Sequence, residues 1–565
     1  MGTRRGRQWI ARKQNSAGAG GPGNRALLSF LPGGPAQSQI ANPGGVTTTN
    51  GAPITCTRST VKYCRTGTSG DAANLISRPE DLSQSPWSSV NNVTTQNFGA
   101  APDGTLTSTR VNAPAAGSRF NSLTQESIPA SIGPGGAWGS STITLSAWVR
   151  SNTGSSQSFA LQATLAGVND YYSADMVATA SWQRFSFTQT LGAGGTTLNV
   201  GVATATTLVA YDVQVWGVKT EAGASATTYI SPMLRLMPAN VPSVEPEGLL
   251  SGGPSTNTTQ WSQDLSNVAW SKTGSTATSA VGISPDGTLT ASRLQLSAAT
   301  QNASFAIITS TNPTPSGQTM TVSGYVRSNT GSNQTFALRQ TYAAVADYFS
   351  PDKVATTAWQ RFSFTQVFPT NASTTCTSGL CTGAGSLAAD LQVWGMQYEV
   401  MGFPSSYIAT TTGAASRSGD VCSVANPLTS PTAFAVGVTA QPQGGAAWSA
   451  ISRVPMGIGQ DSLANTARFV DGAWADYDGT PSFAGLLDAS VFPTFGTIAH
   501  RIVGAKTAQT VYQLFYDGVS VGSPTGTGTG MTSQPALIYI GGSLSNFFWG
   551  WVRDVRIGKT VATVK

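Results

Sequence analysis

Aromatic and polar residues alternate along two segments in the first half of the chain, and the same residue types return in the second half. The first set is Trp148, Arg150, Asp212, Gln214 and Trp216, and the second is Tyr325, Arg327, Asp390, Gln392 and Trp394. An aromatic ring stacks on the apolar C–H face of a sugar, while polar side chains bond the hydroxyls. These residues predict glycan binding. The alternative is that the tryptophan rings fill the edge of a core and the polar residues form its rim.

Three further segments place aromatic residues next to acids. They are Asp170-Tyr171-Tyr172, Asp347-Tyr348-Phe349 and the stretch with Trp474, Asp476, Tyr477 and Asp478. We predict that the tyrosines and the tryptophan bind glycan from loops or strand ends, where binding groups tend to lie, with loop packing as the alternative. Asp471, Asp476 and Asp478 could offer oxygen ligands to calcium, but their spacing fits no closed motif. We therefore predict no metal and no cofactor.

Residues for catalysis are scarce. His500 is the only histidine, so a Ser-His-Asp or Cys-His system would have to use it. The chain has six glutamates, and glycosidases place two carboxylates across the scissile bond. Aspartates could serve instead, so a glycan-degrading enzyme stays the third alternative. We predict that the protein is not an enzyme and has no catalytic residues.

The composition favours β-structure. The chain has 565 residues, of which 10% are charged and 40% hydrophobic, with 63 glycines and 30 prolines. Few charges, many turn formers and abundant aromatic residues are typical of β-sandwiches. The alternation of Ile143, Leu145, Ala147 and Val149 with polar residues predicts a half-buried strand. The fold class we predict is all-β, with tandem antiparallel β-sandwich (jelly-roll) domains after an extended N-terminal arm.

An internal repeat organises the middle of the chain. The segment 149–161 recurs at 326–338, and the segment 182–189 recurs without change at 359–366, both at an offset of 177 residues. The repeat is much longer than a solenoid unit, so it indicates two complete domains.

The first 65 residues contain nine basic residues and no acid. Because the whole chain carries +6, the rest of it carries −3. The Gly/Pro content favours an extended segment that orders on a partner, with a solvated tail as the alternative. We predict that Arg4, Arg5, Arg7, Arg12 and Lys13 anchor this arm without sequence-specific nucleic-acid binding. No apolar run approaches the ~18 residues of a membrane span, so we predict no membrane insertion.

Five cysteines leave the pairing open. Cys56 and Cys64, and likewise Cys376 and Cys381, are close enough in sequence to close small loops, which leaves Cys422 odd. The alternative is that they are free thiols, because assembly in a cytoplasm is reducing.

Both repeats carry a recognisable order of residues. In the first it runs through Asn74-Leu-Ile, Trp148-Val-Arg, Trp182-Gln-Arg-Phe, Val215-Trp-Gly and Tyr229-Ile. This order resembles carbohydrate-binding-module-like jelly rolls, which recur in bacteriophage tail-fibre and other virion appendage proteins. The second repeat departs at its start, where Thr258-Thr-Gln-Trp replaces the Asn-Leu-Ile opening.

The C-terminal residues differ from the repeats. Asp517-Gly518 lies between alternating segments and predicts a hairpin turn. The order of the last segments resembles concanavalin-like, laminin-G-type jelly rolls. Some members of that superfamily are glucanases with a Glu-x-Asp-x-x-Glu strand, and residues 400–565 contain no glutamate. The resemblance therefore implies a lectin-like or structural use.

Together these observations predict five regions: a basic Gly/Pro-rich virion-anchoring arm (1–73), β-sandwich repeat 1 (74–232), a Pro-rich linker (233–255), β-sandwich repeat 2 (256–410) and a concanavalin-like jelly roll (411–565). The resemblance implies a structural phage virion protein made in the host cytoplasm. We expect a homotrimeric tail fibre whose arm joins tail or neck (adaptor or nozzle) proteins and which attaches to host-surface polysaccharide. The alternative is a head or neck fibre, or a capsid decoration protein, without a receptor role.

Overall fold

Every regular element in the described part of the chain is a β-strand, forty in all. The computed structural model describes residues 26–28, 55–60, 62–65, 74–76, 78–83, 86–103, 107–115, 118–119, 123–129, 137–229, 232–237, 244–245, 248–310, 315–373, 375–442, 456–459, 466–470, 473–477, 499–508, 511–520, 531, 533–542, 548 and 550–558. Within these ranges no helix has the length and apolar character needed to cross a membrane. The predicted all-β fold class is confirmed.

Repeat 1 is a sandwich of two antiparallel sheets. The strands before it are β1 (Ala26–Leu28), β2 (Thr55–Thr57) and β3 (Lys62–Arg65). Its own strands are β4 (Trp87–Val90), β5 (Val93–Gly99), β6 (Ser108–Ala113), β7 (Leu123–Pro129), β8 (Thr142–Ser151), β9 (Gln157–Leu165), β10 (Asn169–Tyr172), β11 (Met176–Ala178), β12 (Gln183–Thr190), β13 (Thr197–Thr204) and β14 (Tyr211–Ala222). The five-stranded sheet has the order β12-β8-β14-β6-β5, and the six-stranded sheet has the order β10-β9-β13-β7-β4 with β11 beside β9.

Repeat 2 has the same two sheets. The strands before it are β15 (Leu234–Met237), β16 (Val244–Glu245), β17 (Gly248–Ser251) and β18 (Ser255–Asn257). Its own strands are β19 (Trp270–Thr273), β20 (Ser275–Gly282), β21 (Ala291–Leu296), β22 (Phe305–Thr309), β23 (Thr319–Ser328), β24 (Gln334–Tyr342), β25 (Ala346–Phe349), β26 (Lys353–Ala355), β27 (Gln360–Val367), β28 (Cys376–Thr382) and β29 (Ala389–Val400). The five-stranded sheet has the order β20-β21-β29-β23-β27, and the six-stranded sheet has the order β19-β22-β28-β24-β25 with β26 beside β24.

The C-terminal residues form a third pair of sheets. Their strands are β30 (Ala415–Arg417), β31 (Val421–Ala425), β32 (Phe434–Pro442), β33 (Met456–Ile458), β34 (Thr466–Val470), β35 (Ala473–Tyr477), β36 (His500–Ala508), β37 (Val511–Tyr516), β38 (Val519–Ser520), β39 (Leu537–Ile540) and β40 (Gly550–Gly558). One sheet has the order β16-β17-β40-β32-β36-β37-β38 with β1 beside β40, and the other has the order β2-β31-β39-β33-β34-β35.

The core of each repeat lies between its two sheets. In β8, Ile143, Leu145, Ala147 and Val149 are 0% exposed and belong to the core of repeat 1. Because side chains alternate between the two faces of a strand, the residues between them lie on the outer face of the sheet. The alternation predicted from the sequence is therefore the one that builds this sandwich.

Strands from the arm and the linker complete the C-terminal sandwich. β1 and β17 pair with opposite ends of β40, and β2 pairs with β31. β3 and β15, which flank repeat 1 in sequence, pair with each other, and so do β18 and β30, which flank repeat 2. The domain boundaries stay a prediction, but each repeat leaves and re-enters the C-terminal unit through a two-stranded ribbon.

A buried carboxylate holds these segments together. Asp420 lies 2.6 Å from the Nζ of Lys62 and 2.8 Å from a guanidinium nitrogen of Arg58, with Arg417 at 3.5 Å. Burial would raise the pKa of Asp420, but the neighbouring cations lower it more, so this pKa lies below its usual value. Arg65 lies over the ring of Trp551. Three of the nine basic residues of the first 65 therefore bind within the chain, whereas Arg4, Arg5, Arg7, Arg12 and Lys13 lie outside the described residues.

The cysteines follow the free-thiol alternative at Cys376 and Cys381, but the structure also has one disulfide that neither alternative included. Cys56 forms a disulfide with Cys422, so Cys422 is not the odd cysteine and Cys56 does not close a loop with Cys64. The reason is the sheet, because Cys56 and Cys422 lie directly opposite each other on β2 and β31. Cys376 and Cys381 are free thiols. They are five residues apart on β28, which places them on opposite faces of the strand, so a loop-closing disulfide between them is ruled out.

The two repeats contact each other. The backbone nitrogen of Arg78 donates to the carbonyl oxygen of Gly287 at 2.9 Å, and that of Leu234 donates to Pro285 at 2.8 Å. Leu234 is 2% exposed and belongs to an aromatic cluster of repeat 2. The start and the end of repeat 1 therefore pack on one turn of repeat 2.

Candidate functional site

The polar residues predicted for repeat 1 share the outer face of the five-stranded sheet, where they bond one another. Arg150 donates to the Oε1 of Gln214 at 2.9 Å, and Gln214 donates to Asn152 at 2.9 Å. Asp212 accepts two bonds from Arg110, at 2.9 and 2.7 Å. Burial alone would raise the pKa of Asp212, but the bonds from Arg110 and Asn152 lower it below its usual value. Most of the polar groups that were predicted to bind a ligand are therefore already bonded to other side chains of the protein.

The tryptophans on this face differ in exposure. Trp216 is 5% exposed, donates to the Oγ1 of Thr107 at 2.9 Å and packs edge-to-face on Tyr229 at 4.8 Å. Trp148 lies beside Trp216 on the neighbouring strand and is half-buried. Trp182, under the guanidinium of Arg150 at 4.9 Å, is half-buried as well. Trp148 is thus the only member of the predicted aromatic pair in repeat 1 with an accessible part.

In repeat 2 the aromatic residues of the same face are buried. Tyr325 is 2% exposed and Trp394 is 0% exposed, and the rings of Trp394 and Tyr407 lie 4.5 Å apart. Leu234, from the segment between the repeats, belongs to this cluster. Arg327 donates to Gln392 at 2.8 Å, and burial lowers the pKa of Arg327 to about 10. Tyr325 and Trp394 therefore offer no open ring to a ligand in this structure.

The Asp170-Tyr-Tyr and Asp347-Tyr-Phe segments lie on strands. Tyr171 packs against the core of repeat 1 and accepts a bond from the nitrogen of Gly192 at 2.8 Å. Tyr348 packs against the core of repeat 2 and stacks on Phe368 at 5.4 Å. Tyr172 differs because it follows Tyr171 on β10 and so lies on the opposite, outer face, where the guanidinium of Arg119 covers its ring at 4.5 Å.

Tyr172 begins a row of side chains that the sequence analysis missed. Directly opposite it on successive strands of the six-stranded sheet lie Gln162, Gly201 and Gln125. We call these four residues the amide row. Residues directly opposite each other on neighbouring strands share a face. Position 201, between the two amides, requires glycine, because the Cβ of any other residue would collide with the carbonyl oxygen of Thr124.

The two amides of the row have unused hydrogen-bonding capacity. Gln162 is 0% exposed, and the Oε1 atoms of both Gln162 and Gln125 are buried without a hydrogen-bond partner among the described residues. The Nε2 of Gln162 donates to the Oγ1 of Thr164. A buried polar atom without a partner costs about 1–3 kcal/mol. A ligand that donates to these oxygens would remove that cost.

In repeat 2 the corresponding row has different chemistry. Opposite one another lie Phe349, Arg339, Gly379 and Ile307. Arg339 binds Asp347 at 3.0 Å and lies over the ring of Phe305 at 4.5 Å. The glycine is kept, but both amides are replaced. A comparison of the two repeats at aligned positions is the signal by which the sequence could have revealed the amide row.

The remaining predicted residues lie elsewhere. Trp474, Asp476 and Tyr477 are in β35, but their side chains, like Asp471 and Asp478, are outside the described residues. Within the described ranges no group of three or more metal-ligating residues occurs. His500 is buried, with its Nδ1 at 2.8 Å from Asp517 and its ring stacked on Tyr516 at 4.7 Å. These contacts hold the hairpin that Asp517-Gly518 was predicted to form.

Comparison with known proteins gives similarity in structure. No family model matches the sequence, and no curated protein matches it. The chain is similar to the N-terminal CBM22-1–CBM22-2 tandem domain from Paenibacillus barcinonensis Xyn10C, at 10% identity and a TM-score of 0.21, over 60% of this chain and 100% of that one. It is also similar to domains LG4-5 of the mouse laminin alpha1 chain, at 13% identity and a TM-score of 0.18, over 47% of this chain and 89% of that one.

Proposed function

We propose that repeat 1 binds carbohydrate at the amide row. The observation that supports this proposal is the pair of buried Oε1 atoms, on Gln162 and Gln125, without a partner among the described residues. Both oxygens are buried and Arg119 covers the ring of Tyr172, so binding requires the side chains over the row to move aside. A sugar ring has hydroxyl donors around an apolar face, so it would then satisfy both oxygens while its C–H face packs against Tyr172. Arg119, which covers Tyr172, would form one side of the site.

The other predicted set is a second candidate surface in repeat 1. Arg150, Asp212 and Gln214 already have partners within the protein, so a ligand gains less by bonding them. Trp148 is half-buried, so part of its side chain is accessible to a ligand. We therefore regard this surface as a less favoured binding site than the amide row. Repeat 2 is not included, because Tyr325 and Trp394 are buried and its row has Arg339 and Ile307 in place of the amides.

The test is glycan binding by the full chain. A glycan array identifies an oligosaccharide, and titration calorimetry then compares variants. Gln162→Ala should weaken binding by about tenfold, because one net hydrogen bond of ~1 kcal/mol and the packing beside it are lost. Arg339→Ala, at the same position in repeat 2, is the matched control and should bind as the unchanged protein does.

Two results would contradict the amide row as the site. If a folded Gln162→Ala protein binds the oligosaccharide with unchanged affinity, the row is not the site. If Trp148→Ala abolishes binding instead, the outer face of the five-stranded sheet is the site.

We further propose that the protein is a structural component of a bacteriophage virion, a tail fibre that attaches to host-surface polysaccharide. The charge of the N-terminal arm supports this proposal, because six basic residues and no acid lie in the first 25 residues, before the three that bind within the chain. Arg4, Arg5, Arg7, Arg12 and Lys13 would join tail or neck proteins, and a homotrimer is the assembly expected of a fibre. Gold-labelled antibody on purified particles tests the location, and label on the head alone would favour a decoration protein.

A further inference from the structure

One edge of each five-stranded sheet is open. β12 in repeat 1 and β27 in repeat 2 are terminal strands, each paired on one side only among the described residues. Both pair with their neighbour without a register shift over eight residues. Natural proteins usually protect such edges with lysine, proline, bulges or short strands. These two edges have no lysine, proline or bulge, and the one charged side chain on each, Arg184 or Arg361, donates within its own repeat to Ser146 or Ser323. Their first seven residues, Gln-Arg-Phe-Ser-Phe-Thr-Gln, are identical.

The sequence of this edge nearly repeats when it is reversed. Around the central serine, phenylalanine faces phenylalanine and glutamine faces glutamine when two such strands run antiparallel. The arginine then faces a threonine, so no like charges lie opposite each other. Phe185 and Phe187 are half-buried at the side of the sandwich. The edge is therefore complementary to a second copy of itself.

We infer that β12 of one molecule pairs with β27 of a second molecule, with Ser186 opposite Ser363, and that this contact joins the copies of a homo-oligomer. The ends of the strands favour this pairing over β12 with β12, which would place the polar Thr190 opposite Trp182. In this register Val367, which is 64% exposed, lies opposite the half-buried Trp182. Pairing of β27 with β27 would place Val367 opposite Trp359, which is only 5% exposed.

Such a contact has a direction. Each chain contributes one β12 and one β27, so the pairing is head-to-tail and uses both edges of every chain. Head-to-tail contacts close into rings when their rotation permits it. Three copies would give the homotrimer expected of a fibre, with the C-terminal unit and the arm free for other contacts.

Cysteine cross-linking tests the inference on the full chain. Ser186→Cys and Ser363→Cys are prepared as separate single variants, mixed, and oxidised mildly. The expected result is a disulfide between the two variants in the mixture and no dimer from either variant alone. Thr188→Cys is the register control, because this exposed residue of the same face lies opposite Arg361 and should not link to Ser363→Cys.

Sedimentation equilibrium of the unchanged protein provides a second measurement that does not depend on any variant. A concentration-dependent increase in mass, up to three copies, supports the pairing. A monomer at all concentrations overturns it, as does efficient linkage of Ser186→Cys to itself, which would show that β12 pairs with β12. Equal linkage by Thr188→Cys would show random collision and would also overturn the assigned register.

Discussion

Repeat 1 and repeat 2 are built on the same pair of sheets but differ in what remains open on their outer faces. In repeat 1, Trp148 is half-buried, whereas Tyr325 in the same position of repeat 2 is 2% exposed. The amides of Gln162 and Gln125 have become Arg339 and Ile307. The scaffold is thus retained while two surfaces change, which is the pattern expected when only one of the two copies binds a ligand.

The outer faces of the two five-stranded sheets also differ around a buried carboxylate, which lies opposite Thr144 in repeat 1 and Thr321 in repeat 2. Glu221 and Glu399 occupy the same position, and both are buried. Glu221 has Lys219 at 3.2 Å, while the corresponding neighbour of Glu399 is Gln397, which donates at 2.6 Å. Burial would raise the pKa of Glu221, but bonds from Thr227 and Lys219 hold it below its usual value. At Glu399 burial prevails over the bonds from Ser405 and Gln397, so the pKa of Glu399 is raised.

The repeats therefore differ in residue type at some positions and in exposure at others. A tryptophan pattern alone would assign both repeats the same function, because Trp216 and Trp394 lie on equivalent strands. The segment that follows repeat 1 decides otherwise, since Leu234 covers the aromatic residues of repeat 2. The same face of the sheet can thus be partly open in one repeat and covered by a neighbouring chain segment in the other.

The largest expected effect is on the covered aromatic cluster. Tyr325→Ala should lower the free energy of unfolding of repeat 2 by about 3–5 kcal/mol, because a large buried side chain is removed. Trp148→Ala should cost repeat 1 about half as much, since its ring is only half-buried. Hydrogen exchange followed by mass spectrometry measures the opening of each repeat separately in the full chain.

The comparison fails if the two substitutions cost the same. Leu234→Ala serves as the control for the cause of the difference, because it should expose Trp394 and weaken protection in repeat 2. An unchanged exchange rate around Trp394 in that variant would show that Leu234 does not close the surface.

Much of the fold could be predicted from the sequence because it depends on local patterns. The alternation in β8, the Asp517-Gly518 turn and the repeat itself each lie within short stretches of chain. The contacts that the arm and the linker make with the C-terminal unit could not be predicted from the sequence. Cys56 and Cys422 are 366 residues apart, and nothing near either of them indicates the other. Register between distant strands is set by the whole sheet, which a single sequence does not display.

The site shows the same limit. Tyr172 was identified because it is aromatic and next to an acid, but Gln162 and Gln125 are ordinary polar residues of strands. They become notable only when Gly201 places them side by side and burial leaves their oxygens without partners among the described residues. Conversely, Arg150 and Gln214 have the residue types of a site but bond each other. The residue types in a sequence show which hydrogen bonds and stacking contacts are possible, and the fold determines how many of them are already made within the protein.

The second largest expected effect is the loss of stability when a buried carboxylate is replaced by an amide. Glu221→Gln should destabilise repeat 1 by about 3 kcal/mol, because Lys219 would remain buried without its ion pair. Glu399→Gln should change repeat 2 by less than about 1 kcal/mol at neutral pH, since an amide can replace the carboxylate in the bonds with Ser405 and Gln397. The same exchange measurement, repeat by repeat, gives both values.

The pH dependence has opposite signs in the two repeats. The folded pKa of Glu221 is below its usual 4.5, so its stabilisation is present above that value and is lost as the pH falls through the folded pKa. The folded pKa of Glu399 is above 4.5, so its charged form costs stability at neutral pH and that cost disappears as the pH falls through the folded pKa. Between pH 7 and 5, Glu399→Gln should make the free energy of unfolding of repeat 2 depend less on pH. Glu221→Gln should leave the pH dependence of the free energy of unfolding of repeat 1 nearly unchanged in this range. Equal slopes for the unchanged protein and Glu399→Gln would contradict the raised pKa.

The smallest effect tests what the repeats have in common. Phe185 and Phe362 lie on the identical edge strands, and each ring packs edge-to-face on a core phenylalanine, at 5.1 Å from Phe159 and 5.2 Å from Phe336. Both are half-buried, so replacement by alanine should cost about 2 kcal/mol, below the ~3–5 kcal/mol of a fully buried phenylalanine. The costs should be equal within about 0.5 kcal/mol, in contrast to the unequal costs at Tyr325 and Trp148. Because repeat 1 packs on the 285–287 turn of repeat 2, Phe185→Ala should also speed exchange in that turn. The costs are measured at a concentration where the chain is monomeric, because pairing of the edge strands between molecules would bury both rings further. A turn with unchanged protection would show that the repeats open independently, and a cost of about 4 kcal/mol or more at either phenylalanine in the monomer would contradict the half-buried rings.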